Sequence, residues 1–372
     1  MHVERVESRA QYDDFSLLPG RLHPRSLTVP LPDALLKSWW RGSRLRPAGV
    51  ELLLVRDHGG RVVGRTTVHS DPRLDARVGA RTLLFGATEF ADAEAAAALF
   101  DAVTERASGH EQILGPVSLL PHEGGGVITS GFSQRGFDRV LWNPPSYPGV
   151  YEDAGFERIW EGDTWSVETV PRQAGVPLGP VAPEEWAAAG LRPGRLTAAR
   201  TEAARAEMLD VLNRAHAGSP SGIEVTAGEV QRGSTAAAAM AALLDPDILR
   251  LATDEASGRI VGFALAVPDY TRFLQSTRGR MGVVEHAQAL VTRSRFRQEA
   301  VLQLQCTDPE DQGRGVGTLL GRDLQAHLAE RGYRRLRVPA IARDGSSAAR
   351  AQLERFGGVP MHGVTFYRRA VG

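Results

Sequence analysis

Asp308-Pro309-Glu310-Asp311-Gln312-Gly313-Arg314-Gly315-Val316-Gly317 is the stretch whose reading decides the fold. Its three glycines alternate between a strand-like run, residues 300–306, and a helical run, residues 316–331, that Gly332 closes. In the helical run Val316, Leu320, Leu324 and Leu328 share one face, while Arg322, Gln325 and Glu330 turn away from it. A strand entering this turn and a helix leaving it bring the helix's free N–H groups to the edge of a sheet. Glycine lets that backbone approach a ligand closely, and the helix dipole favours an anion there. Gln312 and Arg314 can add side-chain donors. The pattern predicts a pyrophosphate-binding turn; a glycine-rich turn without a ligand is the alternative.

The surroundings fit a mixed sheet. Residues 249–252 and 260–265 read as strands around the polar turn 255–258, residues 336–341 as a further strand, and residues 346–356 as a helix closed by Gly357. The first half follows the same plan. Residues 51–55 and 61–64 form a hairpin around His58-Gly59-Gly60, residues 81–85 a third strand, residues 91–107 an alanine-rich helix, and a strand begins at 112–114. Pro171, Pro177, Pro180 and Pro183 punctuate the patternless stretch 167–183 between them. The expected organisation is a domain over 1–168, a linker over 169–183 and a second domain over 184–372.

A chain of 372 residues is long enough for two cores. Its 42% hydrophobic and 24% charged residues suit a folded globular protein. Lys plus Arg and Asp plus Glu balance at 44 each, which leaves no net pull toward nucleic acid or an anionic membrane. Cys306 is the single cysteine, so an intramolecular disulfide and a multi-cysteine metal site are excluded. No stretch approaches the roughly 18 apolar residues of a membrane span, and the N-terminus lacks a signal-like apolar core. A reducing, cytoplasmic setting is the expectation.

Gln312, Gly315 and Gly317, preceded by Asp308-Pro309-Glu310, resemble the Gln/Arg-x-x-Gly-x-Gly/Ala signature of the GNAT N-acetyltransferases. Through Phe85-Gly86, Gly115-Pro116, Asn143-Pro144-Pro145, Val267-Pro268-Asp269-Tyr270 and Gly357-Gly358 the chain also resembles a group of tandem GNAT-like bacterial proteins. The resemblance implies an α+β (α/β) fold of two tandem GNAT-like domains, each a mixed central sheet flanked by helices. It implies acetyl-coenzyme A or another acyl-coenzyme A as co-substrate and an amine of a small molecule as acceptor. The cofactor site it implies comprises Gln305, Cys306 and Thr307 at the strand end, Gln312, Gly313, Arg314, Gly315, Val316, Gly317 and Thr318 in the loop, and Ser346 downstream. Ser346 and Leu353 stand where the family has Asn and the Tyr that reprotonates the leaving thiolate. Tyr151-Glu152-Asp153-Ala154-Gly155-Phe156 resembles the Tyr-containing end of the motif, but no glycine signature precedes the first half's long helix. Glu89, Asp92 and Glu94 crowd that helix start with carboxylates that repel a pyrophosphate, so the first half reads as a degenerate copy.

An amine nucleophile must lose a proton, and Asp269, Glu285, His286 and Glu299 are ionisable groups near elements that border the implied cleft. None has a spacing that selects it, and a solvated surface role is the alternative for each. Tyr270 and Tyr367 are the remaining candidates for a general acid, with aromatic packing as the other account of both. Leu302 and Leu304 are expected on one face of their strand and Gln303 and Gln305 on the other, toward a cleft. Cys306 has no cationic neighbour in sequence and reads as a small buried hydrophobe. No histidine spacing suggests a metal. Acyl transfer to an amine is the leading function. A Fem-like aminoacyl-tRNA-dependent aminoacyltransferase and a non-catalytic acyl-coenzyme A-binding protein are the alternatives; the glycine turn and the balanced charge weigh against the former.

Overall fold

A computed structural model of the chain describes residues 1–41, 50–138, 140–170, 180–194, 201–217, 223–227, 248–280, 282–296, 298–343 and 348–372. The first half begins with β1 (His2–Arg5), then α1 (Arg9–Leu17), α2 (Pro19–Leu22) and α3 (Asp33–Trp40). Next come β2 (Glu51–Arg56), β3 (Val62–His69), α4 (Pro72–Val78), β4 (Thr82–Phe90), α5 (Ala93–Glu105) and β5 (Gln112–Gly115). Three short strands, β6 (Val117–Ser118), β7 (Leu120–Gly125) and β8 (Val127–Ile128), precede α6 (Tyr147–Asp153) and β9 (Glu157–Glu168).

The second half repeats the order with α7 (Pro183–Ala188), β10 (Leu191–Gly194), α8 (Thr201–His216), β11 (Leu249–Asp254) and β12 (Ile260–Pro268). It continues through α9 (Thr271–Thr277), α10 (Val283–Phe296), β13 (Glu299–Thr307), a 3-10 turn (Pro309–Asp311) and α11 (Val316–Glu330). It ends in β14 (Arg335–Ala342), α12 (Ala348–Arg355) and β15 (Val359–Ala370).

Both halves share one sheet, ordered β1-β2-β3-β4-β5-β15-β9-β14-β13-β12-β11-β10. The order is palindromic in kind, because each half contributes a meander whose last two strands, β4–β5 or β13–β14, run parallel across a helix. At the centre the halves exchange their final strands. β15, from the C-terminus, pairs with β5 of the first half, and β9 pairs with β14 of the second. Packing follows the exchange: Trp165 and Val167 of β9 sit in the core built around α11, and Tyr367 of β15 sits in the core built around α5.

Several expected bounds change, and the strand expected at 61–64 runs on to His69. The strand expected at 81–85 continues to Phe90, carried past Gly86 by a register shift opposite Arg65–Thr67 in which Ala87 takes a φ of 47°. Val167, the first residue of the proline-bearing stretch, is still strand and lies opposite Leu336, while residues 171–179 fall outside those described. Proline punctuation marks where hydrogen bonding stops only locally; Val167 and Glu168 pair with a partner strand about 170 residues away, which no local pattern encodes.

Candidate functional site

β13 and β14 are paired only at Glu299–Arg335, Ala300–Leu336 and Val301–Arg337. Beyond these residues the parallel strands part and form a wedge. Leu302 to Gln305 and Pro339 to Ala342 along its walls are all partly exposed. The loop after β13 turns back at the wedge's wide end. Gly313 and Gly315 adopt φ of 88° and 77°, and no atom lies within 4 Å of where a Cβ on either would fall. Gly315 caps α11 without any side-chain hydrogen bond. Leu319 N–H is the first to find a helical acceptor, Gly315 O at 3.0 Å. The N–H groups of Val316, Gly317 and Thr318 therefore project from the first turn with no carbonyl four residues back.

The loop is held from beneath. Asp308, buried, accepts from Arg214 Nη2 at 2.8 Å and Arg259 Nη1 at 2.7 Å and caps the N–H of Glu310. Arg314 pairs with Asp311 and with Asp254 (3.0 Å), and its Nη2 donates to the carbonyls of Ala189 and Gly190. Its guanidinium is thus bound within the protein, so Arg314 offers the loop its backbone rather than a side-chain donor. Gln312 is exposed at the rim. The amides of Gln305 and Gln352 both donate to Gly317 O, at 2.9 and 3.0 Å, which ties β13 and α12 to the first turn of α11. Arg214, Arg259, Asp254 and Gln352 were not found from the sequence. Their only shared signal is proximity to a loop that has to be rigid.

The alternation expected along β13 does not hold. Leu304 lies opposite Leu265 and Leu302 opposite Ala266, so Gln303 is the extra residue of a bulge. Leu302 consequently packs with the α11 core and Leu304 with the α8 core, and the two glutamines point to opposite faces. Gln305 reaches Gly317, whereas Gln303 donates to Asp138 Oδ2 at 2.6 Å, a residue of the first half. Burial pushes the Cys306 thiol up to about 12, so it remains protonated and packs with Phe263 and Ile260. Thr307 Oγ1 lies near the first turn, 3.8 Å from where a Cβ on Gly317 would fall. Thr318 is half-buried there, and Ser346 lies outside the described residues.

The catalytic candidates are dispersed. Asp269 is buried; burial alone would raise its carboxyl, but Arg135, 2.8 Å away, and the Thr271 N–H hold it below the usual range. Glu299 pairs with Arg135 (2.9 Å) and Arg337 (2.8 Å), so both carboxylates are bound in one ionic cluster. Glu285 Oε2 accepts from Gly282 N–H at 2.8 Å and His286 Nδ1 lies 2.7 Å from Gly282 O, both local contacts at the start of α10. Tyr270 precedes α9 and packs with Phe273, Leu274 and Ala289. Tyr367 is buried in the first half, stacked on Tyr151 and donating to Glu152 Oε1 at 3.0 Å. Desolvation raises its phenol above the ordinary range. Three strand spacings, about 14 Å, separate β15 from β13, so the strand exchange removes Tyr367 from the second wedge. Leu353, at the position of the family's tyrosine, is buried in the α11 core.

The first half's wedge is closed. β4 and β5 pair at three positions, from Thr82–Gln112 to Leu84–Leu114, but all nine residues of β4 are buried. The segment after the cis Gly115–Pro116 bond folds into the gap as β6 and β7, so near Gly86 that a Cβ there would lie 1.7 Å from Val117 O. At the start of α5, Asp92 Oδ1 accepts the Ala95 N–H at 2.9 Å. A carboxylate of the chain itself occupies the helix N-terminus that α11 leaves open.

No protein-family model matches the sequence, and a comparison with curated proteins finds no match. Solved structures do match. The chain is similar over 100% of its length to a GCN5-related N-acetyltransferase from Sphaerobacter thermophilus, covering 95% of that chain at 13% identity and a TM-score of 0.56. It is similar, also over 100% of its length, to a tandem GNAT protein from the clavulanic acid biosynthesis pathway, covering 99% of that chain at 18% identity and a TM-score of 0.56. The glucosamine N-acetyltransferase region of a fungal multi-domain GH3 β-N-acetylglucosaminidase matches 99% of the chain at 12% identity and a TM-score of 0.61, although the chain spans only 38% of that protein. None of the described helices is long and apolar enough to cross a membrane. With its two parallel-strand wedges and palindromic strand order, the chain has the GNAT superfamily fold, built in tandem.

Proposed function

We propose that the chain is an acyl-coenzyme A-dependent N-acyltransferase whose second half takes the thioester and whose acceptor is the amine of a small molecule, with acetyl as the simplest acyl group. One observation carries the reading: α11 starts on two left-handed glycines in open space at the mouth of an open wedge. Such a turn suits a pyrophosphate, because its N–H groups donate without a charged side chain to displace. The N–H groups of Val316, Gly317 and Thr318 would receive the phosphates, and Gln305 and Gln352 would keep the turn's shape by fixing the Gly317 carbonyl.

The neutral amine attacks the thioester carbonyl, the C–N bond forms, the C–S bond breaks, and the ammonium proton passes to sulfur directly or through water. Leu353 has no proton to give, and a thiolate of pKa about 8.5 leaves without a strong acid. The acceptor side is supported by the first half: Asp138, exposed and hydrogen-bonded to the bulge residue Gln303, has no arginine partner among the described residues. Its carboxylate would attract the acceptor's ammonium group.

Calorimetry of the full chain with acetyl-coenzyme A, followed by thiol release against a panel of small amines, tests the reading. Asp138→Asn is expected to raise the acceptor's KM about tenfold with coenzyme A affinity unchanged. Binding without thiol release from any amine would favour a non-catalytic acyl-coenzyme A-binding protein. Absence of binding would overturn the proposal.

A further inference from the structure

A second cavity, of about 150 Å³, lies on the seam between the halves, where α1, α2 and the loop after them meet the C-terminal end of α9. The seam is tightly built. Gln275 Nε2 donates to Thr28 O at 2.8 Å, Asp33 N–H donates to Gly279 O at 2.9 Å, and a Cβ on Gly279 would fall 2.5 Å from Leu31 O. Arg21, Arg25 and Arg278 line the cavity with Ser16, Thr28 and Gln275, and no carboxylate lines it. Arg21 shares Asp14 with Arg56. Arg25 and Arg278 have no carboxylate partner among the described residues. Arg278 ends α9 at φ 54° and ψ 40°, a left-handed conformation that a side chain other than glycine, asparagine or aspartate rarely takes.

Guanidinium groups around one concavity repel each other, and their planar forks match carboxylate and phosphate oxygens. A cavity of this size holds a ligand on the order of six to ten heavy atoms. It is distinct from the glycine turn. The turn lies beside Val261 at the start of β12, whose carbonyl accepts the Asp308 N–H, whereas α9 follows the other end of that strand, roughly 25 Å away. We propose that this seam cavity binds a small oxyanion, the phosphate or carboxylate group of a metabolite, and that its occupancy clamps the first half's N-terminal helices onto α9.

Calorimetry and thermal melts of the full chain are run with inorganic pyrophosphate in one arm and succinate in the other, which separates a phosphate from a carboxylate ligand. At least one anion is expected to bind and to raise the melting temperature. Arg25→Ala and Arg278→Gly, the latter a residue that accepts the left-handed backbone, are each expected to weaken binding at least tenfold. Gly315→Asp removes the glycine turn as a second pyrophosphate site and is expected to leave succinate binding and one equivalent of pyrophosphate binding in place. Binding lost in Gly315→Asp and retained in the arginine variants would overturn the proposal, as would the absence of binding by both anions at millimolar concentration.

Discussion

The two halves present the same wedge of parallel strands in opposite states. Between β4 and β5 the gap is filled by the chain's own β6–β7 hairpin, every residue of β4 is buried, and the helix N-terminus beside it is capped by Asp92. Between β13 and β14 the walls stay half-exposed and α11 begins on Gly315 without a side-chain cap. A helix N-terminus needs acceptors for its N–H groups, which solvent supplies by default and which two built arrangements can replace: an internal carboxylate, or a ligand. The first half uses the former. The second leaves its first turn without a side-chain cap, so the two copies of the fold differ at equivalent helix starts.

The largest expected effect breaks that difference. Gly315→Asp gives α11 the carboxylate that α5 has, and coenzyme A affinity measured by calorimetry should fall on the order of a thousandfold, through like-charge repulsion and lost backbone access. Retained affinity would mean that the turn is not the phosphate site. Gly86→Ala attacks the filled wedge instead. A Cβ 1.7 Å from Val117 O forces the hairpin out, and denaturant unfolding should show about 3 kcal/mol of destabilisation. A neutral result would show that the hairpin is a loose cover.

His362, on β15 beside β9, tests the strand exchange. Burial, together with the nearby Arg337, lowers its imidazole to about 4, although the Gln134 carbonyl opposes the shift. Thr164 Oγ1 lies 2.9 Å from Nδ1. Because the unfolded chain takes up this proton near pH 6.5 and the folded chain only near pH 4, stability should decline as pH falls across that window, by up to about 3 kcal/mol. His362→Gln should flatten the pH dependence between those values; an unchanged slope would place the acid sensitivity elsewhere. The smallest effect is expected from Asp92→Ala. Loss of the cap should lower stability by about 1 kcal/mol, and no coenzyme A binding should appear in the first half, since the wedge behind the helix stays filled. New binding there would show that the cap alone distinguishes the halves.

Much of the fold was legible because its signals are local. The stripe Val316, Leu320, Leu324 and Leu328 gave α11 to within a residue, and the glycine spacing located its N-terminus. The carboxylates at 89–94 lie at the end of β4 and the start of α5, where Asp92 is the helix cap. Side-chain roles were less legible. Arg314 reads as a ligand donor until Asp254, Asp311 and two carbonyls from the turn at 189–190 are brought around it. Gln303 and Gln305 read as one face until the bulge separates them. Tyr367 reads as a neighbour of the second half's cleft until its strand crosses to the first.

What the amino-acid sequence determined by itself is periodicity and backbone permission: which runs become helices, where a turn requires glycine, and where a chain of this length doubles its architecture. These depend on interactions within a few residues, so they are written in consecutive positions. The tertiary structure alone decided which strands exchange, which wedge is filled, and which charges are already paired. Those outcomes depend on partners such as Gly86 with Val117, Val167 with Leu336, and Asp138 with Gln303. Their free energies arise from close packing and desolvation between distant segments, which exist only once the sheet has assembled.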